Sequence, residues 1–230
     1  MTDLDVAALG VREANARLRA AGAGERLRLL RPDAAHNLAV GLEAAVEVEI
    51  AGHAGYYAAG MNRLATVRIA GDCGVGVAEN MMSGRVEAGS AAAAAAASAR
   101  GGVLAVRGDA GARCAISLKG ADVVVGGSVG NSCGFMAQSG RVVVCGDAGE
   151  GLGDSLYEAR IYVRGEVASL GADCVEKELR DEHREELRRL LADAGVAAEP
   201  TDFRRFGSAR RLYHLQPSRS GTESVGAGLG

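Results

Sequence analysis

Apolar residues recur along the middle of the chain in short alternating runs that each end at a glycine. The pattern apolar-x-apolar-x-Gly occurs seven times, and its final residues are Gly52, Gly71, Gly89, Gly108, Gly127, Gly146 and Gly165. Successive members are 19, 18, 19, 19, 19 and 19 residues apart. Alternation is typical of a β-strand, and a fixed period indicates a repeat architecture. Each unit is therefore predicted to be a strand, a tight turn, a second extended stretch and another turn.

A second glycine follows the first by three positions in five units, at Gly55, Gly74, Gly111, Gly130 and Gly149. We expect these structural glycines to provide the positive φ angles of tight turns. A unit of this length cannot bury its own apolar face, whereas stacked units form a continuous core. Helical repeats of about 33 to 47 residues do not fit the period. The sequence predicts an all-β fold, a right-handed parallel β-helix (solenoid) of about seven turns with helical N- and C-terminal flanks.

The β-helix is predicted to occupy residues 36–175. Its limits are marked by proline, which removes a donor from a strand ladder: all three prolines lie outside residues 44–175, at Pro32, Pro200 and Pro217. Residues 1–35 are predicted to be an N-terminal helical flank and residues 176–230 a C-terminal cap helix with a docking tail.

Each flank carries one amphipathic helical pattern. The first covers residues 2–20, begins with a capping box formed by Thr2 and Asp5, and has an apolar face of Leu4, Ala8, Val11 and Leu18. The second covers residues 175–191 and has a stripe of Val175, Leu179, Leu187, Leu190 and Leu191. An open end of a β-helix is an exposed sheet edge, so we expect the second helix to cover it.

Composition and charge narrow the class of protein. Thirty-four glycines and 3% aromatic residues indicate a core of small and β-branched side chains. The net charge is -3, and long basic runs are absent from the sequence, which disfavours a nucleic-acid partner. No signal peptide or membrane segment is recognisable, so we expect a cytoplasmic protein. The five cysteines include no CxxC pair and are expected to be buried thiols rather than disulfides or metal ligands.

Three stretches carry candidate chemistry. Residues 141–155, RVVVCGDAGEGLGDS, suggest a phosphate-binding loop. Their glycines are spaced as GxGxG rather than GxGxxG, and no helix fits before the next strand, so turns of the solenoid are the favoured interpretation. A polar residue follows each repeat glycine, at His53, Asp72, Ser90, Asp109, Ser128, Asp147 and Glu166. Turn chemistry is the favoured role of this polar column, with metal binding as the alternative. The alanine run at residues 91–97 either packs against a neighbour or is a degenerate unit.

No catalytic, cofactor-binding or metal-binding residue is assigned from the sequence. The four histidines are scattered, at His36, His53, His183 and His214. The tail from Asp202 combines arginines with aromatic residues, and a docking arm is favoured there over an RNA-binding segment.

The repeated GDAG and the stretch GNSCGFMAQSGRVVVCGDAGEGLGDSLYEARIYVRG, residues 130–165, resemble the GXGXG domain, the C-terminal β-helix of the glutamate synthase large subunit. The similarity spans about residues 36–175. Two free-standing proteins of this type are the alternatives for the resemblance. One is the small GXGXG subunit of N-methylglutamate synthase (methylamine-glutamate N-methyltransferase), and the other is the related β-helical subunit of formylmethanofuran dehydrogenase. The helix ADCVEKELRDEHREELRRLL and the tail FRRFGSARRLYHL are more similar to the first.

The resemblance implies a non-catalytic structural subunit that holds partner subunits in a hetero-oligomer. In glutamate synthase this β-helix braces the glutaminase domain against the FMN-bearing synthase domain. An amidotransferase-like subunit and an FMN-dependent glutamate-synthase-like subunit are therefore the implied partners. FMN and an iron–sulfur cluster are expected on a partner, and no cofactor on this chain. An independent β-helix enzyme or ligand-binding module is the remaining alternative. The third turn, with its alanine run, departs from the family pattern.

Overall fold

A single large sheet dominates the computed structural model, which describes residues 1–210. Strands β1 to β9 stack in chain order, and every pair among them is parallel. This arrangement confirms the predicted all-β parallel β-helix of about seven turns. The strands are β1 Thr2–Asp5, β2 Arg26–Leu30, β3 Glu47–Ile50, β4 Thr66–Ile69, β5 Arg85–Ala88, β6 Val103–Val106, β7 Lys119–Val125, β8 Ser139–Val144, β9 Arg160–Val163, β10 Cys174–Lys177 and β11 Arg204–Ser208.

The second side of each turn is much shorter than predicted. The expected second extended stretch is wrong, because each turn contributes one bridging residue there instead of a strand. These residues pair in parallel through the stack and point small side chains into the core; they are Ala54, Cys73, Ala91, Ala110, Val129, Ala148 and Val167.

The third side is built from residues whose φ alternates in sign. In the alanine run, Ala94, Ala96 and Ser98 have φ of 59°, 54° and 55°. Their amides reach alternately to the next and the previous turn, since Ala94 N–H donates to Ala112 O and Ala96 N–H donates to Val77 O. A left-handed conformation disfavours β-branched side chains. The alanine run is therefore a regular turn with small residues at positions where other turns place a range of residues, from Gly76 and Asn80 to Tyr57, Arg113 and Met136.

The repeat glycines serve close packing between turns. The expectation of positive φ is wrong for Gly146 and Gly149, but it is confirmed for Gly151 and Gly153 of the same loop, whose φ values are 71° and 65°. Among the twelve structural glycines only Gly52 has a positive φ, of 155°. A Cβ added at Gly146 would lie 2.7 Å from Gly127 C, and one added at Gly130 would lie 2.6 Å from Ala112 N. Both distances are far inside van der Waals contact. The glycine columns thus allow backbones of successive turns to approach at hydrogen-bonding distance.

The N-terminal flank contains two strands as well as a helix. Thr2 lies in β1, so the predicted capping box is wrong, and helix α1 (Val6–Ala20) is capped by Asp5, whose side chain accepts the Ala7 N–H at 3.1 Å. The helix is interrupted at Gly10, where φ is 75°. Asn15 is buried against the first turn; its amide donates to Asn37 O at 2.7 Å and its Oδ1 accepts the Ala39 N–H at 2.8 Å. Asn15 therefore takes the place of a preceding turn for the Ala39 N–H, since the equivalent Ala59 N–H donates to Leu38 O of the turn before it.

The C-terminal helix lies beside the sheet rather than over its end. Helix α2 (Asp181–Asp193) begins six residues later than predicted, because residues 174–177 form β10. Leu187, Leu190 and Leu191 pack on the outer side chains of Val124, Val143 and Tyr162 in a second apolar cluster. The open edge of β9 is covered by β11, which runs antiparallel to it, and β10 follows outside β11. The predicted capping of the end by a helix is therefore wrong.

Candidate functional site

The polar column after the repeat glycines is used by the fold itself. Asp72 Oδ1 accepts the Ser90 N–H at 2.7 Å, and Asp109 Oδ1 accepts the Ser128 N–H at 2.7 Å. Asp147 Oδ1 accepts the Glu166 N–H at 2.8 Å in the same way. Each side chain therefore bonds the backbone of the next turn, as expected of turn formers. Within residues 1–210, no group of three or more histidine, cysteine or acidic side chains is placed to hold a metal ion.

The glycine-rich loop at residues 146–153 offers no amide to a phosphate. A phosphate loop needs several N–H groups that converge on empty space. Here Gly149 N–H donates to Val129 O at 3.0 Å, Gly151 N–H to Ser169 Oγ at 3.0 Å, and Gly153 N–H to Cys133 O at 2.8 Å. The intervening Glu150 and Leu152 amides are bonded to neighbouring turns as well. These donors point along the solenoid axis, which supports the interpretation of the motif as turns of the solenoid.

The five cysteines are buried free thiols, as expected. Burial raises the pKa of Cys73 to about 12 and that of Cys174 to about 11. Cys114 and Cys133 lie together in adjacent turns, and their mutual hydrogen bond together with burial raises the pKa of Cys133. A thiol that resists ionisation is a poor nucleophile. The raised pKa values of Cys73, Cys133 and Cys174 therefore disfavour covalent catalysis by these three thiols.

The structure brings His36 and His53 to one shallow groove of about 500 Å³, which is lined mainly by apolar groups including Tyr56 and Val75. His36 Nδ1 accepts the Tyr56 N–H at 2.8 Å, and His53 Nδ1 accepts the Asp72 N–H at 2.9 Å. Both Nδ1 atoms thus accept backbone N–H groups. The Asp72 carboxylate lies 3.8 Å from His53 Nδ1, which is beyond hydrogen-bonding distance, so it does not orient this ring as the acid of a catalytic triad does. His183 lies elsewhere, buried in α2, and His214 lies outside the described residues.

A charged cluster that the sequence did not reveal lies under helix α2. Glu186 accepts the Tyr162 O–H at 2.6 Å and a hydrogen bond from Arg160 at 2.7 Å, and its side chain is 13% exposed. Next to it, Arg141 forms a bidentate pair with Asp122 at 2.6 and 2.7 Å. The cluster borders a groove of about 550 Å³ between α2 and the sheet. Asp122, Arg141 and Arg160 recur at the 19-residue period of the repeat and pair across β7, β8 and β9, so the period predicts that these three residues lie side by side. The position of Glu186 on α2 has no such signal in the sequence.

The ionisation states in this cluster favour a structural role. Burial opposes the charge of Glu186, but the hydrogen bonds from Tyr162 and Arg160 outweigh it and lower the pKa of the carboxyl group. Burial, together with the neighbouring Glu186, raises the pKa of Tyr162. Acid–base catalysis near neutral pH requires groups whose pKa values lie close to 7. Here the pKa of the carboxyl group is lowered and the pKa of the phenol is raised, so both are shifted away from that range. The cluster therefore holds α2 on the sheet.

The outer face of the sheet changes character along the solenoid. Over its first turns it carries exposed ion pairs, in which Glu47 lies between Arg26 at 3.3 Å and Arg68 at 3.4 Å. Over its later turns it is apolar and covered by α2. The tail contributes to this part, because Arg204 donates to Gly165 O and Arg205 donates to Glu178 O. These two guanidinium groups are thus engaged within the chain.

Comparison with known proteins yields one informative relative. Neither a family model nor a solved structure matches the chain. Protein GlxC of Rhizobium meliloti (strain 1021) is 49% identical over 220 residues, which cover 94% of this chain and 96% of that protein. None of the helices in residues 1–210 has the length and apolar character needed to cross a membrane. Because the identity extends over nearly the full length of both chains, this protein belongs to the same family as protein GlxC.

Proposed function

We propose that this chain is a non-catalytic structural subunit of a glutamate-synthase-type complex. The favoured setting is N-methylglutamate synthase, which converts methylamine and glutamate to N-methylglutamate and ammonia. In this proposal the solenoid braces an amidotransferase-like subunit against an FMN-dependent synthase subunit in the cytoplasm. FMN and an iron–sulfur cluster belong to the partner.

The observation that carries the proposal is that most of the groups that suggested chemistry are hydrogen-bonded within the fold. Five of the seven side chains of the polar column and the amides of residues 149–153 are bonded to neighbouring turns. The thiols are buried, and Glu186 is held by Tyr162 and Arg160. A chain whose polar groups are hydrogen-bonded within its own solenoid is rigid, and it is therefore suited to positioning other proteins.

Two further features support the glutamate-synthase setting. Residues 130–165 resemble the GXGXG domain, and the family relationship to protein GlxC covers the whole solenoid. Seven turns spaced by about 4.8 Å form a rigid body roughly 30 Å long. Rigid placement of two reactive centres lowers the entropic part of a reaction barrier.

Purification of the tagged chain from its own host tests the proposal. We expect it to be recovered with an amidotransferase-like subunit and a flavin-containing subunit, identified by mass spectrometry and by flavin absorbance. That complex should convert methylamine and glutamate, whereas the isolated chain should not. Recovery with a molybdenum- or tungsten-containing partner would favour the formylmethanofuran dehydrogenase setting. Recovery as a stable monomer without cofactor would refute the proposal.

A further inference from the structure

One long edge of the solenoid carries exposed residues that are far apart in the sequence. It is the corner between the third side of each turn and the following strand. The backbone register defines it, because Arg100 N–H donates to Met81 O, Lys119 N–H to Ala99 O, and Tyr157 N–H to Ala137 O. We call this corner the basic edge, and the argument concerns six of its exposed residues: Met61, Leu64, Arg100, Lys119, Met136 and Tyr157. Arg63, Gln138 and Glu158 are exposed at the same corner, and Arg63 is paired with Glu43 at 3.6 Å.

Large apolar side chains occupy both ends of the basic edge. Met61 and Leu64 are 47% and 56% exposed at one end, and Met136 and Tyr157 are 50% and 57% exposed at the other. About four turns separate the two ends, a distance of roughly 20 Å at strand spacing. Exposed methionine and tyrosine that share one surface are enriched at protein interfaces.

The middle of the basic edge carries an unbalanced positive charge. Arg100 and Lys119 occupy the same position in adjacent turns, and in residues 1–210 neither forms an ion pair or a side-chain hydrogen bond. The same position holds Met82 in the turn before and Gln138 in the turn after, so no carboxylate stands next to them in this column. Like charges on neighbouring strands are destabilising. This contrasts with the outer face of the sheet, where Arg68 is paired with Glu47 and Glu87.

We propose that the basic edge is the docking surface for an acidic partner subunit. The partner would place carboxylates opposite Arg100 and Lys119 and apolar groups against the Met61 and Met136 ends. Such a partner removes the repulsion between the two cations and covers the exposed apolar side chains at the same time. The inference rests on the proposed function in that the occupant is a subunit of the same complex.

Charge reversal within the tagged complex tests this surface. Arg100→Glu and Lys119→Glu should each reduce the recovered partner subunit by about tenfold, while Arg100→Lys should retain it. Arg12→Glu is the matched control, because Arg12 is exposed on α1, forms no ion pair with any other residue of 1–210, and undergoes the same change in charge. Thermal denaturation of the isolated variants separates docking from folding. Either reversal leaves opposite charges in adjacent turns, so stability should be unchanged or higher.

Site-specific photo-crosslinking locates the partner directly. A photoreactive residue at Gln138 should crosslink to an acidic peptide of the partner, and the same residue at Arg12 should not. A complex that forms normally in both reversal variants, or crosslinks only from Arg12, would refute the basic edge but leave the proposed function intact. Crosslinks to a second copy of this chain would also refute it. Recovery of the chain without any partner would refute both proposals.

Discussion

A methyl group added at Gly130 tests whether the glycine columns set the spacing of the solenoid. In Gly130→Ala the new Cβ would lie 2.6 Å from Ala112 N and 2.9 Å from Gly111 C, both on the preceding turn. The φ of Gly130 is not positive, so alanine introduces no backbone strain of its own. The substitution therefore changes only the contact between turns.

The expected cost follows from this contact. To reach an ordinary separation of about 3.5 Å, the two backbones must move apart by roughly 0.9 Å. Overpacking of this kind costs about 1–3 kcal/mol. The same movement stretches the Gly130 N–H bond to Ala110 O, now 2.9 Å, which is worth about 1 kcal/mol. Replacing glycine by alanine also lowers the conformational entropy of the unfolded chain, and this raises the free energy of unfolding by about 0.5–1 kcal/mol. We expect a net loss of about 1–3.5 kcal/mol.

Denaturant unfolding of Gly130→Ala and Gly207→Ala measures this loss. Gly207 lies in β11, has no positive φ, and a Cβ there would meet Lys177 Cγ at an ordinary 3.5 Å. The control should therefore match the wild type or exceed it slightly. If Gly130→Ala unfolds at the same denaturant concentration as the control, close approach between turns is not the reason for the glycine columns.

Three further predictions concern the ends of the stack and helix α2. Asn15→Ala should lower the free energy of unfolding by about 2–3 kcal/mol in denaturant, since two backbone groups of the first turn lose their partner; a loss below about 0.5 kcal/mol would argue against this cap. Glu186→Gln should lower the pKa of Tyr162 in a titration followed by ultraviolet absorbance, because a nearby negative charge disappears; an unchanged titration would contradict the assignment. Burial and Arg205 lower the pKa of His183 below the unfolded value of 6.5, so the unfolded state binds more protons and stability should fall as pH decreases below about 6.5. His183→Gln should flatten that dependence, and a slope that persists in the variant would exclude His183 as its source.

Helix α2 shows why pattern alone did not place the C-terminal elements. Its apolar stripe at Leu187, Leu190 and Leu191 was recognised, but a stripe does not indicate which surface it will cover. That surface is the outer face of β7 to β9, where Val124, Val143 and Tyr162 replace the charged residues of earlier strands. The sequence pattern places Val175 in the helix, whereas Val175 lies in β10. The pattern does not reveal this strand because its partner β11 is almost thirty residues further along the chain.

The sequence by itself determined the repeat of the solenoid. Alternation and a fixed period are local properties, so strands β3 to β9 could be located from the runs that end at Gly52 to Gly165. Only the tertiary structure decided what the repeat positions do. The glycines serve contact between turns rather than positive φ, and the Glu186 cluster and the basic edge join residues from different turns. The repeat period does place Asp122 beside Arg141 and Arg100 beside Lys119, since each pair is 19 residues apart. The position of α2 on the sheet and the partners of Glu186 depend on contacts between segments that the repeat does not relate, so only the folded chain decides them.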